Sequence, residues 1–257
     1  MAGMVLSAAD IEAIERATLT AVAPERVDAL DGWLLPLDTG TVGRAHSAVP
    51  LHHGEHDPAL IDTIARHYLD AGLRPVFRLP DLPAFEAWRP LLAERGFRRE
   101  QLTLTQAGAL DGLLALASHT DGVSLDTRPD AAWMAMFLGE GLDPVDGASR
   151  SQSLSRAEGT LFASLREGGQ TLACGAACYA QGWLSLHGLR TAASHRGRGL
   201  AGRLIRAMAQ EAQRRGIRRA FLQVDAANTS ALALYRRAGM GTAWSYAYWR
   251  PSATPGG

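Results

Sequence analysis

Residues 195–205, HRGRGLAGRLI, and residues 221–240, FLQVDAANTSALALYRRAGM, decide how this chain is read. In the first, Arg196 to Ala201 make a glycine-bearing turn that opens straight into an amphipathic helix. The first turn of a helix carries N–H groups without intrahelical partners, at the positive end of the helix dipole. That arrangement suits a phosphate or pyrophosphate. Gly197 and Gly199 let a bulky anion come close to the backbone. The preceding LSLHGLRT, residues 184–191, reads as a strand, so the order is strand, anion turn, helix.

The residues beyond the turn make the pattern specific. A helix from about residue 200 to 215 stops at Gly216. RRAFLQVDA reads as a short, largely apolar strand. Asn228, Thr229 and Ser230 form a helix start. The second helix carries Leu232, Leu234 and Tyr235 and ends at Gly239, and TAWSYAYWR reads as an aromatic strand.

With these residues in view, the chain resembles the GNAT N-acetyltransferase superfamily. The family pattern is Gln/Arg-x-x-Gly-x-Gly/Ala at the pyrophosphate turn, then Asn, then Tyr seven residues later, then Gly-Phe. Here the parts are Arg196 to Ala201, Asn228, Tyr235, and Gly239 with Met240 in place of Phe. The match covers about residues 184 to 241. The resemblance implies acetyl-CoA as cosubstrate. It implies that backbone groups of Leu189, Arg190 and Thr191 hold the pantetheine arm. The amides of Gly197, Arg198, Gly199, Leu200, Ala201 and Gly202 would surround the pyrophosphate. Asn228 would bond the pantetheine side, and Tyr235 would give a proton to the departing sulfur.

Each of these residues has a plainer reading. The glycines serve a tight turn, Tyr235 packs a helix face, and Asn228 caps a helix. The base is where the chain departs from the family, whose members often place Glu on the strand before the turn or before the Asn. The matching positions here are His187 and Gln223. Gln223 cannot take a proton. His187 can, because its unperturbed pKa is about 6.5, and it would act directly or through water. The other reading of His187 is a satisfied structural side chain. Asp225 is a weaker candidate base.

The bulk composition is that of a soluble globular protein. At 257 residues with 47% hydrophobic residues, the chain can hold one large or two small domains. Lys+Arg 26 balance Asp+Glu 26, which argues against general nucleic-acid binding. Every basic residue is arginine. No apolar run is long enough for a transmembrane helix, and the first residues lack a signal-peptide pattern. A cytoplasmic protein is expected, and a homodimer is left open. The only cysteines, Cys174 and Cys178, read as small buried side chains on one strand. HHGEHD at residues 52–57 invites a metal reading, but no second ligand cluster has accepted spacing, so no metal site is expected.

The expected fold class is α/β, with mixed central sheets flanked by helices in two GNAT-like units in tandem. Residues 121–257 read as the catalytic unit. VSLDTRP is its first strand, AAWMAMFLGE and SRSQSLSRAEG are helices, and three strands follow from Leu161 to Thr191. Residues 1–106 read as a degenerate unit of the same rhythm. A capped helix starts near Ser7, GWLLPLD and GRAHSAVPL are strands, and DPALIDTIARHYLDAG is a helix capped by Asp57. RPVFRLP, PAFEAWRPLLAERGF and REQLTLTQ then read as strand, helix and strand. LHHGEHDPAL stands where the anion turn should be, and its Glu55 and Asp57 would repel a pyrophosphate. Residues 107–120 are the expected connection. The leading function is transfer of an acetyl group to a primary amine of a small molecule or amino acid, by direct attack. A peptide or protein N-acetyltransferase is a variant. A noncatalytic acyl-CoA-binding regulatory module is the reading from another class.

Overall fold

Ser7 opens the first helix, α1 (Ala8–Val22), through a reciprocal capping box with Asp10. The computed structural model of the chain describes residues 4–138 and 143–252. After α1 come β1 (Arg26–Leu30), β2 (Trp33–Leu37), β3 (Val49–Pro50), α2 (Leu60–Asp70), β4 (Phe77–Pro80), α3 (Trp88–Glu94) and the long β5 (Phe97–Ala109). Then follow α4 (Leu110–Leu114), β6 (Val123–Asp126), α5 (Ala131–Ala135), α6 (Pro144–Ser155), β7 (Thr160–Glu167), β8 (Gln170–Ala180) and β9 (Trp183–Thr191). The chain closes with α7 (Leu200–Arg214), β10 (Arg219–Asp225), α8 (Thr229–Arg237) and β11 (Gly241–Pro251).

The fold is mixed α/β. Strands β1-β2-β3 form a three-stranded antiparallel sheet, and the other eight form one mixed sheet in the order β4-β11-β5-β10-β9-β8-β7-β6. Each half builds antiparallel strands and then one parallel neighbour. In the first half that contact is a single bridge, Ala48 to Phe77. In the second it is β9 against β10, from Leu184–Ala220 to Leu186–Leu222.

The last strands of the two halves are exchanged. β5 lies antiparallel to β10 of the second half, and β11 lies between β5 and β4 of the first. Each strand lies against strands of the other half, so both halves contribute to the eight-stranded sheet while β1-β2-β3 stay a sheet of their own. This also explains why β5 runs on to Ala109, through the start of the expected connection. It pairs with β11 from Phe97 to Ala107 and with β10 from Thr103 to Ala109. The rest of that connection contains α4 and packs on α7, where Arg206 Nη1 donates to the Ala117 carbonyl at 2.9 Å.

One face of the large sheet is covered by α7 and α8, which bury Leu184, Leu186, Leu204, Met208, Leu222 and Tyr235. The opposite face is covered by α1, whose Ile14 and Ala17 meet Trp183, Phe221, Tyr246 and Tyr248. A third core of rings, Trp33, Phe77, Phe85 and Trp88, fills the first half. Polar ties hold the halves together. Arg219 donates to Asp10 at 2.7 Å, Arg156 to Asp38 at 2.6 Å, and Thr41 N–H to Ser149 at 2.8 Å.

Several local expectations change. GRAHSAVPL is not one strand: Gly43–Ala45 is a 3-10 turn, and only Val49–Pro50 pairs. RVDAL, unassigned from the sequence, forms β1 because β2 pairs with it from Arg26–Leu37 to Leu30–Trp33. α2 starts at Leu60, after an Asp57 side chain that accepts from the Ala59 N–H at 2.9 Å. PAFEAWRPLLAERGF splits into a 3-10 turn and α3. α6 begins at Pro144, earlier than read, because Asp143 caps it and Pro suits the first helical position. Residues 139 and 140 of AAWMAMFLGE lie outside the described residues.

A fragment of residues 121–257 lacks β5, so β10 would present an unpaired edge and β11 would lose both neighbours. Expressed alone it should be insoluble or lack cooperative thermal unfolding. A soluble fragment with a sharp transition by circular dichroism would show that the exchange is dispensable.

Candidate active site

The parallel pairing of β9 with β10 stops at Leu186 and Leu222. β10 continues to Asp225 against β5, and β9 continues to Thr191 against β8. Beyond Leu186 the two strands therefore part, and the sheet opens as a wedge. A bulge on β9 sharpens the departure. Gly188 sits at φ +58°, where an added Cβ would lie 2.8 Å from Phe137. Leu189, Arg190 and Thr191 lie past this bulge, and their β10-facing edge has no strand beside it. The Arg190 guanidinium lies 5.0 Å over the Phe137 ring.

The wedge leads to the glycine turn. Gly197 and Gly199 take φ +76° and +75°, and a Cβ at either would meet nothing within 4 Å. The turn is thus open space lined by backbone. Among the described residues, the N–H groups of Gly197, Arg198, Gly199, Leu200, Ala201 and Gly202 have no backbone acceptor. The ladder of α7 begins with Arg203 N–H to Gly199 C=O at 3.2 Å. Six successive free N–H groups at a helix start make a cradle for a polyanion.

Asn228 and Tyr235 come from α8. The Asn228 Oδ1 accepts from the Ala231 N–H at 3.1 Å, which makes it the helix cap, and its amide nitrogen stays unused among the described residues. Tyr235 is buried in the same core as Leu186, Leu222 and Val224, the residues at which the strands part. Burial pushes its phenol up to about 12, so it keeps its proton throughout the neutral range.

His187 is on the other face of the sheet from Tyr235. It is buried, with Nε2 2.9 Å from Ser185 Oγ. Burial, and then the charge of Arg44, push its imidazole down to about 3. The ring is therefore neutral at pH 7 but holds a proton poorly. Gln223 faces α1, 3.5 Å from Thr18 Oγ1. The Asp225 side chain accepts from the Ala227 N–H at 2.8 Å in the turn before α8. Cys174 and Cys178 are buried free thiols, and burial pushes both up, Cys174 to about 12.

In the first half, the loop where the second half has its glycine turn is packed with rings. His52 stacks on His56 at 4.0 Å, His56 on Phe85 at 5.3 Å, and His53 stands edge-on to Trp244 at 4.8 Å. Burial pushes His53 down to about 4.

A family model described as "Probable histone acetyltransferase Rv0428c C-terminal" matches residues 8–249. The chain belongs to this family. It is an acyltransferase with the GNAT fold. A GCN5-related N-acetyltransferase from Kribbella flavida superposes with a TM-score of 0.67 at 20% identity, with 96% of each chain covered. A GCN5-related N-acetyltransferase from Sphaerobacter thermophilus gives 0.58 at 19% identity, over 95% of this chain and 93% of that one. A tandem GNAT protein from the clavulanic acid biosynthesis pathway gives 0.59 at 15% identity, over 98% of each chain. These likenesses are of fold, and they extend over both halves. A search of curated proteins finds no match. No helix among the described residues of this acyltransferase is long and apolar enough to cross a membrane.

The sequence alone does not single out Arg44, Arg78 and Glu15, which the fold gathers on the α1 face with Tyr246. One signal was present: Arg78 interrupts an otherwise apolar strand, VFRLP.

The buried histidines set an acid limit on the fold. His187 is depressed to about 3 when folded, against about 6.5 unfolded. Its contribution is complete above the unfolded value and is lost as pH falls through that window toward the folded one. His187→Asn should therefore weaken the drop in urea midpoint between about pH 7 and about pH 4.5. An identical drop in both proteins would mean that His187 charges as easily folded as unfolded.

Proposed function

We propose that this protein transfers an acetyl group from acetyl-CoA to the primary amine of a small molecule or amino acid, by direct attack. The observation that carries the reading is the wedge between β9 and β10 leading to six unpaired N–H groups at the start of α7. In this reading residues 121–257 are the catalytic unit and residues 1–106 the supporting one, joined by the exchange of β5 and β11. Acetyl-CoA would supply an activated thioester carbonyl.

The residues divide the work. Gly197 to Gly202 bind the pyrophosphate through backbone N–H groups, and Gly197 and Gly199 keep that surface free of side chains. The exposed edge of Leu189, Arg190 and Thr191 offers the strand hydrogen bonds that a pantetheine amide can complete. Asn228 fixes the start of α8 and has an amide nitrogen left to donate. Tyr235 holds a proton at its phenol oxygen and gives it to the leaving sulfur. A phenol raised by burial alone is a reluctant general acid, but it is fully protonated when needed. His187 serves as a neutral imidazole that takes the amine's proton directly or through water and gives it up to water without storing it.

The family description names histones. Helix α1 covers the acceptor face of the wedge, packed across β8 and β9. That closure favours a small amine over an extended polypeptide, and turnover with small amines against a histone-tail peptide separates the two.

Gly199→Asp places a side chain and a negative charge in the cradle and strains a left-handed position. It should weaken acetyl-CoA binding at least about tenfold by calorimetry. Unchanged affinity would move the phosphate site elsewhere.

Tyr235→Phe keeps the ring and removes the proton. It should lower kcat by about 10²–10⁴-fold with acetyl-CoA affinity nearly intact. Full turnover in that variant would pass the proton to water or the acceptor. For His187, kcat/KM should show no break between about pH 5 and 7 that His187→Gln removes. Such a break, lost in the variant, would make His187 an ordinary general base.

A further inference from the structure

A row of polar side chains lies buried on the α1 face of the large sheet, apart from the residues assigned to acetyl-CoA. Arg78, on β4, is 1% exposed. Its Nη2 is 2.7 Å from Glu15 Oε2 on α1, but off hydrogen-bond alignment. Its guanidinium carbon sits 5.2 Å over the Tyr246 ring, and Tyr246 meets Tyr248 edge-on at 5.6 Å. Thr105 on β5 and Gln223 on β10 are cross-strand partners in the same sheet.

Arg44 joins this row to the wedge. It sits in the 3-10 turn Gly43–Ala45, which packs so closely on Tyr248 that a Cβ on Gly43 would lie 3.0 Å from the phenol oxygen. Its charge acts on Glu15, on Tyr248 and on His187, and His187 is the first residue of β9 beyond the last pairing with β10. Among the described residues, no carboxylate stands within 4.0 Å of Arg44.

The row is rich in donors that nothing satisfies. Arg78 Nε and Nη1, Arg44 Nε, Tyr246 OH and Thr105 Oγ1 are buried without hydrogen-bond partners among the described residues, and so is one acceptor, Gln223 Oε1. Buried polar groups are normally paired, and a guanidinium cannot shed its charge to escape the interior. Glu15 is the one carboxylate paired with Arg78, and the second guanidinium, Arg44, has none within 4.0 Å. A positive charge is left over whichever form Glu15 takes. A purely structural ion pair would leave neither the second guanidinium nor the spare donors. With Glu15 ionised, planar, forked donors are left with one charge in excess, which matches the single charge of a carboxylate.

We infer that this row binds a carboxylate of the acceptor, so that the amine acetylated is an amino acid or another carboxylate-bearing amine. The inference rests on the acetyl-transfer reading and names its substrate class. It also gives the first half a role at the site, because Glu15, Arg44, Arg78 and Thr105 all come from it. The cofactor anion would lie at the start of α7 and the acceptor anion under α1, on opposite sides of the sheet, with the reacting atoms meeting in the wedge.

Two measurements test it. In the first, a panel of amino acids and their carboxamides is compared as acceptors at saturating acetyl-CoA. The native protein should prefer the acids in kcat/KM. Arg44→Gln should erase that preference by lowering the acids about 10- to 100-fold, the range of a lost hydrogen bond to a charged group. Arg44 is only partly buried, so this variant is the one suited to remain folded. Equal use of acids and amides by the native protein, or a preference that survives in Arg44→Gln, overturns the inference while leaving acetyl transfer in place. In the second, which needs neither turnover nor cofactor, N-acetyl amino acids and their primary amides are added to the protein and Tm is read. Protection by the acids alone, lost in Arg44→Gln, supports the site. Protection by both or by neither overturns it. Failure of acetyl-CoA to bind in calorimetry would overturn the acetyl-transfer reading instead, and the Tm comparison would still decide the carboxylate.

Discussion

The backbone ladder on the two edges of β5 is the constraint on which the rest depends. On one side β5 pairs with β10 from Thr103–Asp225 to Ala109–Arg219, and on the other with β11. A strand from the first half thus supports the strand that forms one wall of the wedge. β10 can leave β9 after Leu222 because its other edge remains hydrogen-bonded to β5. Without that support, parting from β9 would leave β10 with two bare edges and unpaired backbone groups. The same exchange commits strands of both halves to one sheet.

The opening in the sheet separates two chemical environments. The α7 face offers uncharged backbone N–H groups at a helix start, on a turn whose glycines leave the surface bare. Such a surface suits a polyanion without side chains to crowd it. The α1 face offers guanidinium groups, phenols and hydroxyls held by packing from both halves. The proposed acid, Tyr235, belongs to the first environment, and His187 to the second. That His187 is buried beside the influence of a cation explains why the usual basicity of histidine does not carry over to it.

The first half, like the second, has antiparallel strands followed by a parallel contact, but its interior differs. Its parallel contact is reduced to the Ala48–Phe77 bridge, and the loop after β3 is filled by His52, His53 and His56 against aromatic rings. Rings occupy the space that the second half leaves open. What the first half supplies in return is β5, α1 and the arginines of the buried row.

The anion turn, its helix, the following strand and the Asn228–Tyr235 helix were legible because each is a local event. Glycine conformation, helix capping and apolar periodicity act over a few residues, and the elements formed within one or two residues of where the sequence placed them. Elements whose existence depends on a distant partner were harder to read. β1 exists because β2 lies beside it, and β5 is long because two strands flank it. Arg44, Arg78 and Glu15 are far apart in sequence, and nothing local marks them as neighbours. By itself, then, the sequence determined the glycine turn with its helix start and the general order of strands and helices, since short-range sterics and hydrogen bonding specify both. Only the tertiary structure decided the strand exchange, the departure of β9 from β10, the suppressed basicity of His187 and the charged row beneath α1. Sheet pairing, burial and electrostatics are set by which segments meet across the sheet, and no local pattern encodes that meeting.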